Sequence, residues 1–271
     1  MGADIKSLRN RIKSVDSTLH LTRAMGLVAS SKIRRAMDHM NKGRQYEAAV
    51  RAAIEPLLHS PDCQRSPYMR TAPKQEGQER VCLIVIAGDR GLAGGYNANV
   101  FRALQDYPDA DMIAIGKRAC DRFGDEALRA EGFDYTTALG MAIELCRDFA
   151  DGKYDKIGIL CTHYVSMLSQ EVQLRWLFPL QPTEHAPAGS VIFEPDEVTI
   201  LNAAIPEYVA GILISAVRES FACEIAARRT AMDSAGKNAQ EMIDRLQLQY
   251  NRARQGAITQ EITEIVAGSG M

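Results

Sequence analysis

The stretch IKSLRNRIKSVDSTL (5–19) decides the fold class of this chain, because its apolar side chains recur at alternating steps of three and four residues. Those side chains are Ile5, Leu8, Ile12, Val15 and Leu19. This is the a/d spacing of a coiled coil, in which one long helix packs along another. The next apolar positions, Leu21, Met25 and Val28, predict a shift of register that locally alters the supercoil.

The helix that carries this stretch is expected to run from Asp4 to about His59. Before Pro56 only Gly26 and Gly43 interrupt a helix-favouring composition. A helix of about 50 residues is about 80 Å long. A compact domain cannot cover an apolar stripe of that length, so the helix needs a partner helix of similar length.

The carboxy-terminal part of the chain supplies this partner. After Pro206 it runs to Val266 without another proline. Apolar and small side chains again recur there at steps of three or four: Ala239, Met242, Leu246, Tyr250, Ala253 and Ala257. We therefore predict that the two terminal helices pair antiparallel and that the residues between them form an insertion whose ends lie close together.

The middle of the chain has a different pattern. Residues 60–80 are polar and proline-rich, which is typical of a linker. Strands are then predicted at 81–88, 111–116, 156–162 and 171–177, with helices at 97–107 and 138–150. This alternation favours a doubly wound, Rossmann-like α/β domain with a largely parallel sheet. The expected division is a helix at 1–59, a linker at 60–80, the α/β domain at 81–205 and a second helix at 206–271.

Composition excludes several classes of protein. Of the 271 residues 46% are hydrophobic and 24% charged, with a net charge of −2, so wholesale disorder and collagen are excluded. The apolar run at 81–88 is far shorter than the roughly 18 to 20 residues that cross a bilayer. The first residues lack the pattern of a cleaved leader. We expect no membrane span and no export.

Charge is unevenly distributed along the chain. Residues 1–58 contain eleven basic and five acidic side chains. An electropositive segment of this kind favours an acidic partner surface. No aromatic residue interleaves before Tyr46, so base stacking has no platform and the pattern argues against nucleic acid as the partner.

The six cysteines contain no C-x-x-C pair, and the five histidines show no metal-ligand spacing. We interpret the cysteines as reduced packing residues and expect no metal site. No G-x-S-x-G or cysteine–histidine arrangement predicts a nucleophile.

The segment GDRGLAGGYNANV (88–100) follows a strand and precedes a helix, where glycine turns often cradle phosphate. Its glycines fit neither G-x-G-x-x-G nor a Walker loop. The simpler interpretation is a tight turn with glycines at positive φ and Asn97 as a helix N-cap. A nucleotide-binding α/β enzyme and a coiled-coil adaptor stay open as alternatives.

Three stretches in order resemble one family, the gamma subunit of the rotary F-type ATP synthase. Residues 5–36 are similar to the family's amino-terminal pattern, and residues 226–270, with their ITQEITEIV ending, to its carboxy-terminal one. The segment AGDRGLAGGYNANV (87–100) is similar to the family's S-D-R-G-L-x-G-x-x-N-x-N motif. The resemblance covers the whole length of the chain.

The resemblance implies a central shaft: an antiparallel coiled coil of both termini with an α/β domain at its base. Such a shaft couples rotation driven by the flow of ions, here protons, to conformational changes at the catalytic beta subunits. The resemblance implies no active site and no cofactor in the shaft itself. The implied partners are three alpha and three beta subunits, epsilon and the membrane c-ring, with no nucleic acid. The implied location is the cytoplasmic face of a bacterial inner membrane, as a peripheral membrane protein.

The resemblance also implies contact residues. Arg23 and Met25 are expected opposite the carboxy-terminal helix, near Arg228. The residues expected to contact loops of the beta subunits are Arg254, Gln255, Thr259 and Glu261. The chain departs from the family pattern at Asn10, Leu21, Gly26 and Arg229.

Overall fold

The computed structural model describes residues 2–70, 79–124, 128–184 and 191–269. Its helices are α1 (Gly2–Leu58), α2 (Tyr96–Ala103), α3 (Lys117–Phe123), α4 (Tyr135–Ala150) and α5 (Glu197–Gly268). Its strands are β1 (Val81–Ile86), β2 (Asp111–Ile115), β3 (Lys156–Tyr164) and β4 (Gln170–Phe178). Short 3-10 turns lie at Cys63–Arg65, Pro67–Met69 and Leu104–Asp106.

The chain divides into two compact units. The first, the helix-pair unit, consists of Met1–Ser30 and Arg228–Met271. The second, the sheet unit, consists of Ser31–Ala227 and contains the four strands and α2 to α4. Both long helices contribute to each unit.

The two terminal helices pair antiparallel within the helix-pair unit. Leu19 packs with Ala239 and Ile243. Farther along α1, Gly26 faces Met232. As the residue number increases along α1, the number of the contacting residue on α5 decreases, which confirms the predicted antiparallel pairing.

The predicted register shift in α1 is wrong. Leu21 and Val28 are 59% and 53% exposed, whereas Thr22 and Ala29 are 7% and 4% exposed. The seam continues from Leu19 at unchanged three- and four-residue steps. The buried hydroxyl of Thr22 is satisfied because it donates to the Leu19 carbonyl at 2.9 Å, so a polar residue occupies a position that the sequence pattern reserves for an apolar one.

One expected seam residue of α5 is also misplaced. Met242 is 45% exposed, while the adjacent Ile243 is 5% exposed and packs on Leu19. Ala239 and Leu246 are buried as predicted. Both Met242 and Ile243 fit a step of three or four residues, so the pattern alone could not choose between them.

The sheet has the order β2-β1-β3-β4. β1 pairs in parallel with β2 and with β3, and β4 pairs antiparallel with β3. Ile84 and Ile86 of β1 point into one core with α4 and α5, whereas Leu83 and Val85 point into a second core with α2 and α3. Helices cover both faces, which confirms the doubly wound α/β domain.

Several element boundaries differ from the expectation. α5 begins at Glu197 rather than after Pro206, because Asp196 caps it: the Thr199 amide and hydroxyl donate to the Asp196 carboxylate at 2.8 and 2.7 Å. α3 was not expected. Residues 60–70 of the expected linker are ordered around buried Cys63 and Ser66, and residues 71–78 lie outside the described residues.

Within the described residues, α5 alone is long and apolar enough to cross a membrane, with a window of mean hydropathy 1.7. That window is 67% buried inside the protein. A helix covered to this extent by its own chain is typical of a protein core. The apolar side chains of this window pack in the core that α5 shares with the sheet.

Candidate functional site

The residues predicted to contact neighbouring subunits lie near the free end of α5. Arg254, Gln255, Thr259 and Glu261 are all exposed. The Thr259 hydroxyl donates to the Gln255 carbonyl at 2.9 Å, which satisfies it within the helix. The helix therefore presents these side chains outward in one local cluster.

The same end of α5 also exposes apolar side chains. Ile258, Ile262 and Ile265 are 45%, 57% and 69% exposed. Their spacing of four and three residues places them on one face of the helix. The end of α5 thus combines a polar and an apolar surface, both accessible.

Arg23 contacts α5, but at a different position from the one expected. Its Nη2 donates to the Gln240 Oε1 at 3.3 Å. Gln240 is twelve residues from Arg228, about 18 Å along a helix. Met25 and Arg228 are half-buried. Arg23 therefore lies opposite the carboxy-terminal helix, with Gln240 as a contact.

The glycine-rich turn after β1 is closed by a carboxylate of the protein itself. The amides of Asp89 and Arg90 each donate to the Glu224 carboxylate at 3.2 Å. Glu224, on α5, is 1% exposed. A Cβ at Gly88 would lie 2.8 Å from the Glu224 Cδ, so glycine is required there for close approach. The carboxylate occupies the place that a phosphate takes in a nucleotide-binding turn.

The prediction that Asn97 caps α2 is wrong. The cap position is Gly95. The Asn97 Oδ1 instead accepts from the Gly88 amide at 2.9 Å, and its Nδ2 donates to the Arg90 carbonyl at 3.4 Å. In the turn Gly94 has a φ of +58°, which confirms the prediction of positive φ for one of its glycines.

Asp89 organises the loops beside the turn. Its carboxylate accepts from the amides of Lys117, Ala130 and Glu131 at 3.1, 2.9 and 2.8 Å. Sequence reasoning missed this role, although the D-R-G segment was singled out. The three donors come from the first residue of α3 and from the loop before α4, both distant in sequence from Asp89, so no local pattern could identify them.

A second buried carboxylate joins three elements. Glu219 of α5 is 3% exposed, and its Oε1 accepts from Arg44 Nη2 at 2.5 Å and from the Tyr164 amide at 2.9 Å. The His163 Nδ1 lies 2.7 Å from the same oxygen. Arg44 also donates to the Tyr164 carbonyl at 2.9 Å. The signal in sequence was two acids, Glu219 and Glu224, in a largely apolar stretch of α5 whose one other charged side chain is Arg218.

The cysteines are buried and free, as predicted. Burial raises the pKa of the Cys82 and Cys146 thiols to about 12. Thiols with raised pKa values carry little thiolate and are unreactive. Across residues 2–70, 79–124, 128–184 and 191–269, no group of three or more histidine, cysteine or acidic side chains could hold a metal ion.

Comparison with known proteins places the chain in a family. A family model described as ATP synthase matches residues 4–270. The chain is 38% identical to an ATP synthase gamma chain of Ruminococcus albus, with 98% of each chain covered. It is 34% identical to a gamma chain of Acetobacterium woodii named as sodium ion specific, with 99% of each covered.

Solved structures show the same fold. A chain of the Euglena gracilis mitochondrial ATP synthase, from an assembly of OSCP, F1 and c-ring, superposes with a TM-score of 0.66 at 19% identity. The superposition covers 99% of the present chain and 94% of the other. A Tetrahymena thermophila mitochondrial ATP synthase structure of the central stalk and c-ring gives 0.59, covering 79% and 99%.

Proposed function

The chain belongs to the ATP synthase gamma-chain family, and from this premise we propose that it is the central rotor shaft of an F-type ATP synthase. It transmits ion-driven rotation to the catalytic beta subunits for ATP synthesis and, in reverse, for hydrolysis. The observation that carries the proposal is the antiparallel pairing of both terminal helices, seen where Leu19 packs on Ala239 and Ile243. A helix pair built in this way can act as a rod.

The mechanism requires that each beta subunit meets a different side of the shaft. A helix pair has no three-fold symmetry, so three surrounding subunits contact unequal surfaces. Rotation then changes which subunit contacts which surface. A difference in contact free energy between conformations shifts the affinity of each catalytic site in turn.

Two surfaces of the helix-pair unit support this mechanism. The amino-terminal part of α1 exposes the cations Lys6, Arg9, Arg11, Lys13 and Arg23, and a positive surface suits an acidic loop on each beta subunit. At the other surface, Gln255, Thr259 and Glu261 with the adjacent Arg254 are accessible to loops of the same subunits. Met25 and Arg228 support the helix pairing rather than direct contact, because both are half-buried.

The chain carries no catalytic site of its own in this proposal. Glu224 supports it, because its buried carboxylate occupies the turn amides that the nucleotide-binding alternative would need. The adaptor alternative does not account for the match along residues 4–270. The nucleotide sites then belong to neighbouring subunits, and no cofactor is required here.

The proposed partners are three alpha and three beta subunits around the helix pair, with epsilon and the membrane c-ring at the α/β domain. The proposed functional segments are the shaft at 1–59 and 206–271, the second of which lies within α5 up to Gly268, the linker at 60–80 and the base at 81–205. The proposed location is the cytoplasmic face of a bacterial inner membrane, where the protein is held through its complex. Protons are the proposed coupling ion.

Cross-linking from an engineered thiol tests the proposal. The described cysteines are all buried, so a cysteine at exposed Thr259 adds an accessible thiol. Complexes purified through a tag on the Thr259→Cys chain should contain alpha, beta and epsilon and form a cross-link to beta. Glu144→Cys, exposed on α4, is the matched control and should not reach beta. Purification of the chain without alpha and beta would refute the shaft function.

A further inference from the structure

The carboxyl ends of β1 and β3 form the crevice in which a doubly wound sheet ordinarily binds its ligand. β1 lies between β2 and β3, and the chain passes from β1 to β2 on one side and later to β3 on the other. The strand order reverses between β1 and β3, so their carboxyl ends flank the topological switch point. In this chain the crevice is filled by α5.

Four residues on two successive turns of α5 form hydrogen bonds to the backbone that lines this crevice. Glu224 accepts the amides of Asp89 and Arg90 in the loop after β1. Near the end of β3, Glu219 accepts the Tyr164 amide. Ser220 Oγ accepts the Thr162 amide at 3.1 Å, and Cys223 Sγ donates to the Thr162 carbonyl at 3.5 Å. The segment Glu219–Glu224, here called the α5 clamp, therefore bonds the loop after β1 and the carboxyl end of β3.

Two further bonds attach the clamp to neighbouring helices. The Tyr96 hydroxyl of α2 donates to the Ser220 carbonyl at 2.9 Å. Arg44 of α1 reaches Glu219 at 2.5 Å. Glu219, Ser220 and Glu224 are 3%, 1% and 1% exposed. Charge-assisted hydrogen bonds are strong and directional when buried, so these contacts resist rotation of α5 within the sheet unit.

We propose that the α5 clamp, through Glu219 and Glu224, is the joint that fixes the shaft helix to the α/β domain and passes torque between them. The two carboxylates take the place of an anion at the crevice where other doubly wound sheets bind a ligand. Glu219 and Glu224 are positioning residues: they touch no substrate and act by holding α5. The inference rests on the proposed rotor function and extends it by naming the residues that transmit torque between α5 and the α/β domain.

Torsional fluctuation of the stalled complex tests the clamp. A bead attached to the α/β domain of the assembled complex reports the angular stiffness between that domain and the alpha–beta ring. Neutral hydrogen bonds are about half as strong as charge-assisted ones, so Glu219→Gln with Glu224→Gln should lower the stiffness about twofold. ATP hydrolysis and subunit composition should stay unchanged, whereas ions pumped per ATP should fall.

The matched control is Glu207→Gln, an exposed acid on the same helix, which should leave stiffness unchanged. If the double variant fails to assemble, Tyr96→Phe is the milder substitution, since it removes one hydroxyl bond to Ser220 and keeps the ring. It should lower the stiffness by a smaller amount.

Equal stiffness in the wild type, the double variant and Tyr96→Phe would overturn the clamp while leaving the rotor function intact. A loss of stiffness in Glu207→Gln equal to that of the double variant would also overturn it. Failure of the rotor function itself is a separate result, because the wild-type chain would then not assemble with alpha and beta subunits.

Discussion

Gly26 faces Met232 across the helix pair, and a Cβ added at Gly26 would lie 3.7 Å from the Met232 Cβ. That distance is an ordinary van der Waals contact, so packing does not require glycine here. Glycine costs about 1 kcal/mol relative to alanine inside a helix. Gly26→Ala should therefore stabilise the chain by about 1 kcal/mol and raise its melting temperature by about 2–4 °C in thermal unfolding.

Gly43→Ala is the matched control in the same helix. A Cβ at Gly43 would lie 3.3 Å from the Ser215 Cα, a close approach to backbone that cannot move aside easily. The gain in helix propensity is then offset by strain, and the melting temperature should not rise. A drop in stability for Gly26→Ala would mean that the helix pair is packed more tightly around Gly26 than the distance to Met232 indicates.

Much of this fold could be predicted from the sequence because the apolar period is a local signal. The helices, the sheet class and the antiparallel pairing all follow from it. The register near Leu21 could not be predicted, since Thr22 occupies the seam only because its hydroxyl bonds to its own helix. The apolar side chains of Leu21 and Val28 favoured the wrong face of α1 as the packed one. Both side chains are exposed in the structure.

Gly116→Ala should be severely destabilising. Gly116 has a φ of +92°, and an added Cβ would lie 2.0 Å from the Ala87 carbonyl oxygen. The backbone after β1, at Ala87, and the backbone before α3, at Gly116, would have to separate, which costs several times the roughly 1–2 kcal/mol of a left-handed residue alone. Soluble yield and the midpoint of urea unfolding measure the effect.

Gly124→Ala separates conformational strain from the clash. Gly124 has a φ of +79°, but nothing lies within 4 Å of an added Cβ. This variant should lose only about 1–2 kcal/mol. If the two variants unfold at the same urea concentration, the contact between Gly116 and Ala87 is not the cause of the loss.

The candidate site was less predictable than the fold, because its key contacts join distant parts of the chain. Family resemblance predicts contact roles for Gln255 and Thr259, whose exposure is a local property of a helix end. It did not locate Glu219 and Glu224, which are recognised only when α5 is placed against the ends of β1 and β3. Side chains that come together only in the folded chain do not produce a recognisable spacing pattern in the sequence.

The pair of Arg80 and Asp155 gives a pH-dependent contribution to stability. The Arg80 side chain donates to the Asp155 carboxylate at 3.0 Å and its amide at 2.9 Å, which lowers the pKa of that carboxyl. A lowered folded-state pKa contributes stability above the unfolded value of about 3.9, and the contribution is lost as the pH falls through the folded value. Asp155→Asn should therefore destabilise the chain at pH 7 by about 1 kcal/mol or less.

Urea unfolding of wild type and Asp155→Asn from pH 7 to pH 3 measures this difference, which should shrink toward the acid end. Asp233→Asn is the control, because Asp233 forms an exposed pair with Lys237 at 2.9 Å on α5. Exposed helix pairs contribute only about 0.3–0.5 kcal/mol. A difference for Asp155→Asn that stays constant over the whole pH range would assign the effect to packing instead of charge.

Substitutions at Gln255, near the exposed end of α5, and at half-buried Arg228, farther back on the same helix, should uncouple the complex without altering its nucleotide sites. Gln255→Ala removes an amide that the proposed loops of the beta subunits would contact, and Arg228→Ala weakens the half-buried base of the helix pair. Both variants should lower ATP-driven ion pumping in membrane vesicles more than ATP hydrolysis. Removal of residues 267–271 should have a smaller effect, because chain ends make few contacts. Unchanged pumping in both point variants would contradict the contact role of Gln255 and the supporting role of Arg228, since a rotating shaft can transmit force to its neighbours only through side chains that touch them.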